Sequence, residues 1–175
     1  EGDLVGLPAP QAPGMFEGND AGQVRLDVHR NVEHGLDAVW RKDMDAFGDC
    51  FAEDAEWRVA GQIMRGRAQI VKAMGGAFQN YRRILMTFRT PILEVGDGVA
   101  SGRTYVSENS QFADGRPFGP IGIYFERFVD EGDRWRFNWR LFQTNYAGPP
   151  DLSASFFDVP DYGPPPAMPP LDEMT

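Results

Sequence analysis

An acidic stripe in the first third of the chain has the residue types of an acid–base site. Glu33, Asp37 and Trp40 recur at spacings of four and three residues, so they share one face of a predicted helix. An aspartate held beside the rings of Trp40 and Trp57 would have its charged form disfavoured, a common route to proton exchange near neutral pH. Asp37 is therefore a candidate catalytic acid or base. The alternative is an exposed charge on a solvated helix face.

Other common catalytic motifs are missing from the sequence. Cys50 is the single cysteine, so neither an intrachain disulfide nor a cysteine-rich zinc site is available. His29 and His34 are the only histidines, and their spacing does not bring both onto one helix face to bind a metal. The glycine-rich stretches lack the spacing of phosphate-binding loops, and no Gly-x-Ser-x-Gly motif occurs. We therefore expect chemistry that needs neither a metal nor a cofactor.

Helical periodicity comes first along the chain, and strand periodicity follows. The apolar spacing predicts helices over 24–41, 43–51 and 67–80, with a short strand at 55–59. Longer alternating runs, separated by Asp-Gly turns, predict four strands at 84–95, 99–112, 117–130 and 134–146. This order predicts an α+β fold, in which N-terminal helices pack on a curved antiparallel sheet. The result is a cone-shaped barrel that encloses a pocket.

Composition limits the size of the protein and its partners. The 175 residues, of which 42% are apolar, suffice for one substantial core and hardly for two. The formal net charge of −9 disfavours nucleic acid and anionic membrane surfaces as partners. The sequence has no apolar run long enough to span a bilayer and no recognisable signal peptide. Together with the lone cysteine, this pattern favours a cytoplasmic protein.

The two ends of the chain differ from its middle in composition. Residues 1–23 are rich in glycine and proline, and we expect an extended N-terminal arm. Residues 24–147 form the predicted α+β domain. The C-terminal arm, 148–175, is rich in proline but contains Phe156, Phe157 and Tyr162, which are too aromatic for a solvated tail. We expect this arm to pack on its own domain or on a neighbouring subunit.

Several short motifs resemble those of the nuclear transport factor 2-like superfamily, over about Val24 to Ala147. They are Asp43-Met44-Asp45, Phe47, Phe51, Glu53-Asp54-Ala55-Glu56-Trp57, Gly66 with Ile70, Tyr124 through Phe128, Gly132 and Trp135-Arg136-Phe137. Enzymes of this superfamily include ketosteroid isomerase, scytalone dehydratase, SnoaL-type polyketide cyclases and a hexachlorocyclohexane dehydrochlorinase. Because the motifs are structural, the resemblance implies the cone-shaped fold more directly than it implies a reaction.

The resemblance also implies which strand residues face the pocket. Tyr124 lies where ketosteroid isomerase has an oxyanion-binding acid, and alternation then places Glu126 on the same face. Matching the adjoining strands without gaps adds further inward residues, namely Arg103, Tyr105, Ser107, Asn109, Gln111, Asn138, Arg140 and Phe142. The alternative register turns Val106, Phe112, Phe125 and Trp139 toward the helices and the polar set away from them. Even in the first register, Arg140 and Glu126 could form only a structural ion pair.

The chain departs from the known enzymes at their catalytic positions. The dehydratase and the dehydrochlorinase use an Asp–His pair, and the corresponding places here hold Trp40 and Met86. The general base of ketosteroid isomerase would fall near Trp57 or Arg58, where no carboxylate occurs. None of these three mechanisms can therefore be carried over residue by residue.

The candidate residues favour a cofactor-independent lyase that acts on a hydroxylated aromatic molecule, such as a two-ring phenolic. The reaction would be an acid–base elimination that releases water or a small carbonyl fragment. Asp37 or Glu126 would move a proton, and Tyr105 and Tyr124 would bind the oxygen that gains charge. Arg103 or Arg140 would supply fixed positive charge. The substrate-binding set is Trp40, Trp57, Arg103, Asn109, Glu126, Asn138 and Phe142.

Other functions stay open for the same pocket. One alternative is an isomerase or polyketide-cyclase reaction, and another is a non-catalytic binding or assembly protein. The superfamily resemblance further implies a homo-oligomer, either a dimer or a trimer.

Overall fold

The computed structural model describes residues 21–96 and 98–157. Three helices and eight strands follow one another in the order α1 (Ala21–Arg41), α2 (Met44–Asp49), β1 (Phe51–Val59), β2 (Gln62–Arg65), α3 (Arg67–Phe78), β3 (Tyr81–Phe88), β4 (Ile92–Gly96), β5 (Val99–Phe112), β6 (Pro117–Phe118), β7 (Ile121–Asp130) and β8 (Trp135–Tyr146). The predicted helices and long strands thus appear in the expected order.

An apolar stripe on α1, the turn at its end and a capping carboxylate on α2 explain where the first two helices form. In α1 the buried side chains recur at helical spacing and include Val24, Val28, Val32 and Val39. The helix ends where Lys42 adopts a φ of 55°, and the backbone turns into α2. The carboxylate of Asp43 then accepts a hydrogen bond from the amide of Ala46 at 2.9 Å, which caps the start of α2.

The strands form one strongly curled sheet in the order β2-β1-β8-β7-β5-β3, with β4 and β6 also paired to β5. All pairings are antiparallel except that of β1 with β8, which is parallel. The helices cover the concave face of this sheet, where they bury an apolar core. This arrangement confirms the predicted cone-shaped α+β fold.

The two faces of the sheet bury separate apolar clusters. The larger cluster lies between the sheet and the helices, and its centre includes Phe47, Phe51, Phe128 and Phe137. A smaller cluster lies on the opposite face and consists of Ile123, Phe125, Trp139 and Leu141. Alternation along β7 and β8 explains the split, since neighbouring residues of a strand point to opposite faces.

Two predicted strands are each divided into two. The prediction at 84–95 is split by Pro91 into β3 and β4, and the prediction at 117–130 is split by Pro120 into β6 and β7. Proline has no amide hydrogen to donate to the sheet, so pairing stops there and resumes further along β5.

Strand β2 was missed by the sequence prediction. Its residues show little alternation, and Met64 is the one that is buried. The turn before it consists of Ala60 and Gly61, both with positive φ, as a tight two-residue hairpin requires. Alanine is uncommon in that conformation, so the sequence did not signal the turn.

The C-terminal arm begins by folding back on the domain. The amide of Gly119 donates to the carbonyl of Gly148, and the amide of Phe157 donates to the carbonyl of Asn145 at 2.9 Å. The ring of Phe156 packs on Tyr146. Most of the predicted N-terminal arm, 1–20, and the rest of the C-terminal arm, 158–175, lie outside the described residues.

We expect Gly122→Ala to lower the free energy of unfolding by about 1–3 kcal/mol. An added Cβ would lie 2.3 Å from the carbonyl oxygen of Gln143 and 2.7 Å from the ring of Phe142, both of which are fixed in the sheet. Urea denaturation followed by circular dichroism would measure the change.

Gly76→Ala is the matched control, because a Cβ there meets nothing within 4 Å and the site is an exposed turn of α3. It should be neutral or stabilise the protein by up to about 1 kcal/mol. Equal destabilisation by both substitutions would contradict the steric explanation.

Candidate functional site

A cavity of about 610 Å³ lies between α3, the concave face of the sheet and the start of the C-terminal arm. Its walls are mainly apolar, which suits a compact organic ligand. The described residues that line it are Trp57, Val59, Ala60, Gly61, Gln62, Met64, Ala73, Met74, Ala77, Phe78, Tyr81, Ile84, Met86, Val106, Glu108, Phe118, Pro120, Tyr124, Phe142, Thr144, Ala147 and Phe157.

Glu108 is the carboxylic acid among these lining residues. It sits near the middle of β5 and is 9% exposed. Burial raises the pKa of this carboxyl above its ordinary value, and a hydrogen bond donated by the hydroxyl of Ser110 opposes the rise. A carboxyl in this environment is suited to accept and return a proton near neutral pH.

Two tyrosines line the same cavity near Glu108. Burial raises the pKa of Tyr124 to about 12; the charges of Glu108 and Glu126 add to the rise, and Arg140 opposes it. Burial and the charge of Glu108 raise the pKa of Tyr81 to about 12. Both phenols therefore keep their protons at neutral pH and can donate hydrogen bonds to a ligand oxygen. The strand pairings place Glu108 between the two tyrosines along β5.

A buried ion pair lies on the concave face next to Tyr124, on the side away from the cavity lining. The Nε of Arg140 donates to Oε1 of Glu126 at 2.9 Å, and the hydroxyl of Thr104 donates to Oε2 at 2.8 Å. Glu126 is fully buried and Arg140 is 4% exposed. Each carboxylate oxygen thus has a partner, as a buried charge requires.

Aromatic rings surround the cation of this pair. The carbon at the centre of the Arg140 guanidinium lies 3.7 Å from the ring centre of Tyr124 and 4.5 Å from that of Phe137. Trp57 and Phe88 lie further away, at 5.4 and 5.7 Å. Because Tyr124 and Trp57 also line the cavity, the pair fixes two of its walls.

Of the site residues predicted from sequence, three line the cavity: Trp57, Tyr124 and Phe142. Glu126 and Arg140 face the same side of the sheet as predicted, since Glu126 pairs with Arg140 and Tyr124 pairs with Phe142 across the strands. Those two charged residues are sealed beside Tyr124 and do not line the cavity. The predicted roles of all five in binding or catalysis stay predictions.

The predicted register of β5 is wrong by one residue. Tyr124 lies opposite Thr104, so Thr104, Val106 and Glu108 share its face. The residues predicted to point inward, Arg103, Tyr105 and Asn109, consequently point to the other face of the sheet. The alternative register is correct for Val106 but wrong for Phe125 and Trp139, which belong to the cluster on that other face.

The predicted positions of Asp37 and Trp40 beside the cavity are also wrong. Asp37 is exposed and forms a 2.8 Å ion pair with Arg41, because its helix face points to solvent. Trp40 is 51% exposed, and its indole nitrogen donates to the carbonyl of Met86 at 2.8 Å.

Asn138 was predicted to face the pocket and is half-buried outside the cavity lining. A bulge between Arg127 and Phe128 shifts the pairing of β7 with β8, so Phe137 takes the inward position. The prediction for Asn138 assumed strict alternation from Arg140 along β8, and the bulge breaks that alternation.

Glu108 and Tyr81 were missed by the sequence analysis. A signal for Glu108 was present, because Val106 is an apolar residue in an otherwise polar run and Glu108 follows it on the same face. The predicted strand began at residue 84 and therefore left Tyr81 outside it. No pattern in the sequence marks Tyr81 as a cavity residue.

A family model described as a SnoaL-like domain matches residues 23–140. The chain belongs to the SnoaL-like family. This membership confirms the resemblance seen in the sequence motifs, because the matched range covers the cone from α1 to the first half of β8. No curated protein matches this SnoaL-like protein in sequence.

Solved structures of similar proteins share the fold. A proposed aromatic ring hydroxylase from Novosphingobium aromaticivorans is 23% identical, with a TM-score of 0.68 over 73% of this chain and 93% of that chain. A proposed scytalone dehydratase from the same organism is 17% identical, with a TM-score of 0.66 over 77% and 88%. A type-3 hexachlorocyclohexane dehydrochlorinase from Novosphingobium barchaimii is 16% identical, with a TM-score of 0.63 over 80% and 95%. At these identities the likeness establishes the fold.

Residues 21–96 and 98–157 contain neither a membrane-spanning helix nor a cluster of metal-binding side chains. No helix in these ranges is both long enough and apolar enough to cross a membrane. Within the same ranges, no three His, Cys, Asp or Glu side chains converge as a metal site would require.

We expect Glu126→Gln to lower the free energy of unfolding by about 3 kcal/mol or more, because it leaves the buried Arg140 cation without its anion. Urea denaturation would measure the loss. Asp37→Asn removes the same charge from an exposed pair and should cost less than about 1 kcal/mol. Similar decreases in the free energy of unfolding of the two variants would show that the buried pair stabilises the protein no more than the exposed pair does.

We expect Glu108→Gln to raise the thermal stability, and to do so more at pH 8 than at pH 4. The raised pKa means that the folded state holds this proton more tightly than the unfolded state, whose carboxyl titrates near 4.5. The contribution of Glu108 to the free energy of unfolding is therefore fully present below pH 4.5. It is lost as the pH rises through the pKa of Glu108 in the folded protein. Differential scanning calorimetry at both pH values would test this, and a gain that does not depend on pH would contradict it.

Proposed function

We propose that this SnoaL-like protein is a cofactor-independent lyase that acts on a hydroxylated aromatic or related ring compound. The observation that carries the proposal is the cavity lined by the buried carboxyl of Glu108 and, on either side of it along the sheet, the protonated phenols of Tyr81 and Tyr124. This combination supplies one proton carrier and two oxygen-binding donors within apolar walls.

The proposed reaction is an elimination of water. Glu108 as carboxylate takes a proton from the carbon next to a ring carbonyl, and the electron pair moves into an enolate whose oxygen accepts a hydrogen bond from one of the two tyrosines. The pair then forms the new carbon–carbon double bond as the neighbouring hydroxyl leaves. Glu108 returns its proton to that hydroxyl, so water departs and the enzyme is regenerated.

The walls of the cavity support a ring-shaped ligand. Trp57, Phe78, Phe118, Phe142 and Phe157 contribute aromatic surface, and the methionines add flexible apolar surface. The sequence analysis proposed Asp37 or Glu126 as the proton carrier, and we now propose Glu108 in their place. Asp37 lies in solvent, and both oxygens of Glu126 already have partners.

An isomerase is the second candidate, because a single carboxyl can also carry a proton from one carbon of a substrate to another. The substrate would then keep its mass, whereas elimination makes it lighter by one water. A binding protein would return the ligand unchanged.

A thermal-shift screen of hydroxylated aromatic compounds, followed by mass spectrometry of each stabilising mixture, would test the proposal. We then expect Glu108→Gln to lower kcat on the identified substrate by about 100-fold or more. Tyr124→Phe and Tyr81→Phe should each lower it by about tenfold or more, since each removes one oxygen-binding donor.

Tyr105→Phe is the matched control for the tyrosine variants, because Tyr105 is partly exposed and lies outside the cavity lining. It should keep wild-type kcat. Full activity of Glu108→Gln on that substrate would overturn the assignment of Glu108 as the proton carrier.

A further inference from the structure

We infer that Glu108 excludes carboxylate ligands from the cavity, so that the ring compounds it accepts are uncharged. The inference rests on the proposed function for the ring-shaped ligand, and it adds the charge of that ligand and the residue that selects it. Selection by charge matters chemically, because many hydroxylated aromatic compounds occur both with and without a carboxylate group.

The charges along the cavity point to this selection. Among the described residues that line it, Glu108 is the carboxylic acid, and none is a lysine, arginine or histidine. The hydroxyl of Ser110 already donates to Oε1 of Glu108. A ligand carboxylate near this group would therefore meet a like charge with no cation on the wall to offset it.

The nearest cations are already engaged outside the lining. Arg140 is paired with Glu126 at 2.9 Å and stacks against Tyr124, and the charges of these two paired residues sum to zero. The ammonium of Lys42 donates to the backbone carbonyls of Phe78 and Tyr81. Neither cation is among the cavity-lining residues. A carboxylate in the cavity would find only uncharged donors among the described lining residues, such as the tyrosine hydroxyls and the indole nitrogen of Trp57.

The apolar surroundings strengthen the effect. The cavity wall formed by α3 consists of Ala73, Met74, Ala77 and Phe78, and the aromatic side chains face it from the sheet. Two like charges repel more strongly among such groups than in water, because the local dielectric constant is lower. An uncharged amide or phenol of the same shape avoids this repulsion and can donate a hydrogen bond to Glu108.

Three ligands that share one ring system would test the inference: 2-naphthol, 2-naphthamide and 2-naphthoate. The amide and the carboxylate have nearly the same shape, so their comparison isolates charge. Isothermal titration calorimetry at about pH 8, where the carboxyl group of 2-naphthoate is ionised, would give each Kd. We expect 2-naphthoate to bind at least about tenfold more weakly than 2-naphthamide to the wild-type protein.

Glu108→Gln should reduce the ratio of the naphthoate Kd to the naphthamide Kd by about tenfold, since it removes the negative charge and keeps the shape. This ratio is the charge gap. Glu94→Gln is the matched control, because Glu94 is exposed on β4 and its substitution changes the net charge equally. The control should keep the wild-type gap. Circular dichroism would verify that each variant is folded.

A pH series on the wild-type protein tests the same inference without a variant. Lowering the pH toward about 5 adds a proton to a carboxyl of raised pKa, so the gap should narrow. The titratable groups that face Glu108 from the neighbouring strands are Tyr81 and Tyr124, which stay protonated throughout, and the lining residues of α3 and β8 do not titrate.

Equal binding of naphthoate and naphthamide by the wild-type protein would overturn the inference. So would a gap that Glu108→Gln and the pH series leave unchanged. Failure of all three ligands to bind would overturn it together with the ring-shaped ligand class. Because these are binding measurements, they are distinct from loss of turnover, which bears on the proposed lyase reaction.

Discussion

The buried pair of Glu126 and Arg140 is the interaction around which the concave face is organised. Two charges excluded from water are costly, and they persist here because the carboxylate has two donors and the guanidinium has aromatic rings against its faces. Phe137 lies on the core side of the cation, and Tyr124 lies on the cavity side. The pair therefore marks the boundary between the packed part of the cone and its hollow part.

The cone is hollow on one side because of the sizes of the side chains there. Between α1, α2 and the sheet, large rings such as those of Phe47, Phe51 and Phe128 fill the space. Under α3 two of the four helix residues that line the cavity, Ala73 and Ala77, are small, so the space opposite them stays open. The same curled sheet thus supports a close-packed core at one end and a ligand-sized cavity at the other.

The sequence predicted the fold well because the fold depends on long periodic segments. The valines of α1 and the alternation of β5, β7 and β8 are strong signals, and the Asp-Gly turns fix where the strands reverse. The interruptions at Pro91 and Pro120 shorten predicted strands without changing their order. The fold class tolerates such errors, since each interrupted strand still pairs with β5.

The site was harder to predict because it depends on single residues within those segments. Tyr124, Phe142, Glu126 and Arg140 were placed on the inner face correctly because the pairing of β7 with β8 has no shift over this stretch. On β5 the choice between two registers decides whether Asn109 or Glu108 faces the cavity, and only the observed pairing of Thr104 with Tyr124 settles it. A polar strand such as β5 offers few apolar residues from which a register could be inferred.

Glu108 and the other ionisable groups of the cavity lie on the sheet and not on the helices. Trp40 and Met86 stand where the sequence resemblance placed an Asp–His pair, and the indole of Trp40 donates to the carbonyl of Met86 on β3. The ionisable groups of the cavity, Tyr81, Glu108 and Tyr124, come from three neighbouring strands, β3, β5 and β7. Proton transfer would thus be located on the sheet, and the helices would serve as the apolar wall. Strands β5 and β7 are hydrogen-bonded on both sides, whereas β3 is an edge strand, so Glu108 and Tyr124 have firmer support than Tyr81.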